Sequence, residues 1–129
     1  MKPMLFAALL FALPACADDA ARAGWVLISV DGIAVDYAAT LDLDQPGRIS
    51  GQGPCNRYFA QVEGNLPEFR PVALGSTKMA CEALAAESGY FALLAAVETA
   101  EIGSDELHLR GGGHDLLFQM PTDQAAANR

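Results

Sequence analysis

Apolar positions along this chain recur in short runs with a period of two, and turn residues separate the runs. Residues 25–30 (WVLISV) are aromatic and β-branched, and Asp31-Gly32 follows them as a turn signal. Thr40-Leu41-Asp42-Leu43-Asp44 alternates as a half-buried strand should. Pro46-Gly47 then turns the chain into a second extended stretch at residues 48–51 (RISG). A further strand is predicted over residues 57–62 (RYFAQV), closed by Glu63-Gly64-Asn65. Residues 69–74 (FRPVAL) are extended, and Pro71, which has no N–H to give a ladder, assigns them to a sheet edge. Leu107-His108-Leu109-Arg110 and residues 114–119 (HDLLFQ) flank Gly111-Gly112-Gly113 and predict a hairpin.

One segment carries helical spacing. Over residues 82–97, Leu84, Phe91, Leu94 and Val97 fall on one face, and six alanines add propensity. That face is expected to meet the sheet, with Ser76 or Thr77 capping a preceding turn. The expected fold is α+β: a strongly curled, incomplete barrel-like antiparallel sheet of about seven or eight short strands, packed against one main helix.

The chain has 129 residues, the length of a single domain. Its 8 Lys+Arg stand against 16 Asp+Glu, for a formal charge of −8. With no basic cluster, such a chain is repelled by a phosphate backbone, so nucleic acid is excluded as a partner.

The first residues form a separate unit. Met1-Lys2 is followed by the apolar run 4–13 (MLFAALLFAL), then Pro14-Ala15-Cys16 and an abrupt change to Ala17-Asp18-Asp19. This is the layout of a secretory signal, and the run is well short of the roughly 20 residues that span a bilayer. Leu13-Pro14-Ala15-Cys16 resembles a bacterial lipobox. The resemblance implies a diacylglycerol thioether on Cys16, cleavage before it, and acylation of the new amino group. The alternative is ordinary cleavage at a nearby alanine. The chain then divides into a signal peptide (1–15), a lipidated Cys16 with its tether (16–24), a folded domain (25–120) and a disordered tail (121–129). Ala17 rather than Asp follows the cysteine, which in enteric sorting implies a membrane anchor on the outer membrane, facing the periplasm. A soluble periplasmic protein is the alternative location.

Assigning Cys16 to lipid leaves Cys55 and Cys81, 26 positions apart, as a candidate disulfide that an oxidising compartment would preserve. A second reading keeps a free, catalytic thiol beside Asn56. A nucleophilic cysteine needs an activating base, and the two histidines, His108 and His114, have no triad-like local signature.

Several segments match one family in order. Trp25-x-Leu27 opens the domain, Gly53-Pro54-Cys55-Asn56-Arg57-Tyr58 resembles a Gly-Cys-Asn-Arg-(Tyr/Phe) core, and Thr77-Lys78-Met79-Ala80-Cys81 resembles Thr-(Arg/Lys)-Met-Ala-Cys. Glu87 with Phe91 and Leu94 fits a Glu-x3-Phe-x2-Leu helix, and Leu107-x-Leu109 with Leu116-Leu117-Phe118 fits a closing hairpin. Over residues 25–119 the chain resembles the META domain, or HslJ-like, family. The resemblance implies a small exported or lipid-anchored protein, linked to heat or envelope stress, with no established catalytic site.

The remaining chemistry is sparse. His108, His114 and Asp115 are a weak metal set, because a closed zinc site takes about four ligands; surface histidines beside a turn are the plainer reading. No cofactor is expected, and no phosphate-binding, dinucleotide or nucleophile-elbow motif occurs. Asn56 and Thr77 can serve as turn and cap residues. Alternatively Asn56, Arg57, Thr77, Lys78 and Met79 form a recognition surface. The expected function is that of a monomeric, non-enzymatic lipoprotein that binds another envelope protein. The alternative is a carrier or sensor of a small apolar ligand held between curled sheet and helix.

Overall fold

The structure, a computed structural model, describes residues 24–121. The signal peptide, Cys16 and all of the tether but Gly24 lie outside the described residues, as does the tail beyond Pro121. Nine strands and one helix follow in the order β1 (Trp25–Val30), β2 (Ile33–Ala34), β3 (Thr40–Gln45), β4 (Arg48–Gln52), β5 (Arg57–Glu63), β6 (Arg70–Ser76), α1 (Leu84–Ala95), β7 (Thr99–Ile102), β8 (Glu106–Gly111) and β9 (His114–Gln119).

Every ladder is antiparallel, and the strand order is β6-β5-β4-β3-β1-β9-β8-β7, with β2 folded back on β1. The sheet is not closed. Its two ends meet at one bridge, where Glu68, just before β6, pairs with Thr99 of β7. Phe69 N–H donates to the Glu98 carbonyl at 2.9 Å, and Ala100 N–H to the Pro67 carbonyl at 2.9 Å.

Period-two alternation builds the core. Leu27, Leu41, Ile49, Tyr58, Leu107, Leu109, Leu116 and Phe118 point inward, each at most 3% exposed. The helix contributes Tyr90 and Leu94 to the same cluster, and Val97 joins it just past the helix end. Leu84, expected on the apolar face, is instead 42% exposed, because the buried stripe runs through Glu87, Tyr90 and Leu94. The helix also has no side-chain cap: Ala83 holds that position, and Thr77 is engaged elsewhere.

β2 and β7 are additional to the strands expected from the pattern. β2 is two residues long, and β7 (TAEI) follows the helix with no Gly or Pro to mark the change. Gly111 fixes where the helix exit lies: a Cβ there would run into the Ala96 carbonyl and come within 2.6 Å of Val97 Cα and Glu98 N. Its absence lets Glu98 N–H reach the Arg110 carbonyl at 2.8 Å.

Antiparallel order sorts the connections to two ends. The Asp31-Gly32 turn, residues 53–56, residues 77–81 and the Gly112-Gly113 turn share one end. The Pro46-Gly47 turn, residues 64–69, the β7–β8 turn and both ends of the described chain share the other.

Candidate functional site

The motif residues converge where the β4–β5 loop, the β6–α1 loop and the first turns of α1 meet. Glu87 is buried, at 3% exposure. One carboxylate oxygen, Oε2, accepts the backbone N–H of Cys55 at 2.8 Å and of Asn56 at 2.5 Å. The other, Oε1, accepts Asn56 Nδ2–H at 2.7 Å. Gly53 leaves room for this, since a Cβ there would stand 2.8 Å from Glu87 Oε2. Burial pushes the Glu87 carboxyl up, but the Asn56 side chain, the two backbone donors and the Lys78 charge outweigh it and hold the group below its ordinary value.

Asn56 is saturated in turn. Its Nδ2 also donates to the Met79 carbonyl at 3.1 Å, while its Oδ1 accepts Thr77 Oγ1–H at 2.9 Å and Met79 N–H at 2.6 Å. Two donors and two acceptors are thereby filled, the full capacity of an amide. Thr77 N–H donates to the Arg57 carbonyl at 3.0 Å, and the Cys55–Cys81 disulfide closes the same junction, with a Cα–Cα distance of 6.0 Å. With the sulfurs joined, neither cysteine offers a thiolate.

An aromatic layer lies beneath. Tyr58 and Tyr90, both fully buried, share a hydroxyl contact of 2.8 Å, and Tyr58 donates to the Thr40 carbonyl at 2.6 Å. Their rings meet edge to face at 5.6 Å, and Phe91 packs on Tyr58 at 5.5 Å. Burial raises both phenol pKa values. Among the described residues, no buried side-chain N or O lacks a partner.

Of the five residues read as a recognition surface, Asn56 is 2% exposed and lies underneath. Arg57, Thr77, Lys78 and Met79 are exposed. Met79, 63% exposed, stands with Leu84 beside an open cleft of about 300 Å³ whose floor includes Glu87 and Phe91. The role of Glu87 escaped the sequence reading, although the residue belongs to the matched helix pattern. A carboxylate three residues before Tyr90 and seven before Leu94 was the available signal.

The histidines are held apart. His108 Nδ1 lies 3.0 Å from Asp115 Oδ1, whereas His114 Nδ1 lies 2.7 Å from Asp31 Oδ2, at the opposite phase of the hairpin. Asp115 N–H also donates to Asp31 Oδ1 at 2.8 Å. The contacts with His114 and the Asp115 backbone hold the Asp31 carboxyl below its ordinary value. Among the described residues no three His, Cys, Asp or Glu side chains gather as a metal set.

A family model, the META domain, matches residues 18–123. No curated protein matches the chain. Two solved structures, both determined by NMR, are similar. One, from Burkholderia xenovorans, is 23% identical, with a TM-score of 0.60, and covers 95% of this chain and 98% of that one. The other is 20% identical, with a TM-score of 0.59, and covers 77% of this chain and 89% of that one. At these identities the likeness concerns the fold alone. The family match spans the motif junction, the helix and the closing hairpin together, and the chain belongs to the META domain family.

Proposed function

We propose that this is a non-enzymatic, lipid-anchored protein of the bacterial envelope that binds a partner protein through the exposed loop at the motif junction. The observation that carries the reading is the mounting of Met79. Its backbone N–H and carbonyl are both bound to Asn56, while its side chain is 63% exposed. A large apolar side chain carried into water on a fixed backbone, with Lys78 and Leu84 beside it, is the arrangement of an interface anchor, since the loop itself has little backbone freedom left to lose on binding.

The carrier alternative draws less support. The space between sheet and helix is occupied by Tyr58, Tyr90 and Leu94, each fully buried. Anchoring through lipid on Cys16, a place on the outer membrane facing the periplasm, and a role under envelope stress rest on the lipobox and on the family.

Co-purification from membranes, with mass spectrometry of proteins and lipids, tests the reading. The unmodified protein should retain a partner that Met79→Asp loses, while both melt at the same temperature. Identical recovery with the two proteins overturns the proposal, and a stoichiometric apolar ligand would favour the carrier.

A further inference from the structure

The opposite end of the molecule carries a second apolar feature. A cleft of about 190 Å³ opens there between the Pro46-Gly47 turn, the loop at residues 64–69 and the end of β7. Leu43, Val62, Leu66, Phe69 and Ile102 line it. Leu66 and Ile102 stand at its rim, 59% and 46% exposed. Their backbones are anchored nearby: Pro67 and Phe69, just after Leu66, are bonded to Ala100 and Glu98, and Ile102 is paired with Leu107 in the ladder.

The chain enters and leaves at this same end. Gly24 sits against Thr40 and Asp42 of β3, the strand whose far residues Leu43 and Gln45 border the cleft. Met120 N–H donates to the Asp105 carbonyl in the β7–β8 turn, close in sequence to Ile102. Cys16 precedes Gly24 by a stretch that, fully extended, reaches roughly 3.3–3.6 Å per residue. An acyl anchor on Cys16 therefore tethers the domain from this end.

We infer that this end is a lipid-docking surface, on which Leu66 and Ile102 enter the bilayer interface and orient the domain with Met79 facing away. The inference rests on the anchoring proposed above. The lipid supplies local concentration, and the rim side chains supply direction. Arg48 lines the cleft and Arg70 pairs with Glu68 beside it, but exposed Glu63, Asp105 and Glu106 at the same end leave an acidic excess, so a zwitterionic surface is the favoured partner and an anionic one is opposed.

The test uses the full chain, exported and processed by a Gram-negative host and reconstituted with its own lipid into phosphatidylcholine–phosphatidylethanolamine vesicles. Nitroxide labels are placed singly at Leu66→Cys, Ile102→Cys and, as a reference at the far end, Ile33→Cys. All three positions are exposed, so labelling leaves the core intact. Labels at 66 and 102 should be relaxed more by oxygen than by a water-soluble nickel chelate, and the label at 33 the reverse. If mass spectrometry finds lipid on Cys16 and all three labels behave as water-exposed, the docking surface is refuted while the anchor stands. An unmodified Cys16 refutes the anchor and the docking surface with it.

Discussion

Glu87 and Asn56 set the character of the motif junction. An anionic carboxylate takes three N–H donors, and one amide fills its whole capacity between two loops. Glu87→Gln replaces an acceptor oxygen by an NH2 group that must face a donor. Leaving a buried donor unsatisfied costs about 1–3 kcal/mol, so the melting temperature should fall markedly, with the change read by circular dichroism. The pH dependence follows from the lowered carboxyl. Its contribution is complete above the ordinary carboxylate value and is lost as pH falls through the lowered folded value. Acid titration of the melting temperature should be flatter for Glu87→Gln than for the unmodified protein over that interval. A parallel loss in both would assign the acid sensitivity to other carboxylates, such as Asp31. The polar residues of the motif were legible in the sequence, but their depth was not. Asn56 read equally well as a surface residue, because burial of an amide depends on partners that only the folded loops supply.

Elements were legible where local chemistry and long-range packing agree. The β3 and β8–β9 segments alternate, β1 is aromatic and β-branched, and they end in turns with positive φ at Asp31, Gly32, Gly47, Gly112 and Gly113. The helix was found and Leu94 and Val97 are buried as expected, but Leu84 is exposed, and the buried places of Glu87 and Tyr90 were missed because alanines surround them and a carboxylate is not an expected core residue. Leu94 is fully buried, so Leu94→Ala should cost about 2–5 kcal/mol in chemical denaturation. Phe91 is only partly buried, and Phe91→Ala should cost less than Leu94→Ala. The reverse order would mean that the helix is seated by its Phe91 side. The disulfide ties the β4–β5 loop to the β6–α1 loop across 26 positions. Its reduction should destabilise the domain by roughly 3 kcal/mol, and thiol labelling of the unfolded, unreduced chain should find Cys55 and Cys81 blocked.

At the scale of the whole molecule, two exposed apolar features lie at opposite ends of one sheet, and the reading given to each is independent of the other's chemistry. The first was legible as the recognition surface around Met79, whereas the second was not, because Leu66 and Ile102 lie far apart in the sequence and are brought to one end only by strand order. That order has a consequence for the sequence of events during synthesis. β1, the first strand made, lies between β3 and β9, the last. Until Leu116 and Phe118 have been added, Leu27 has no neighbour on that side and the sheet cannot be completed. A growing chain therefore stays incompletely folded until β9 has been made, which suits the export proposed for it. Stopping the chain at Gly113 should leave Trp25, the sole tryptophan, in water, with its emission shifted to the red of the intact protein. A truncated chain with the native emission would mean that the first half closes its own core.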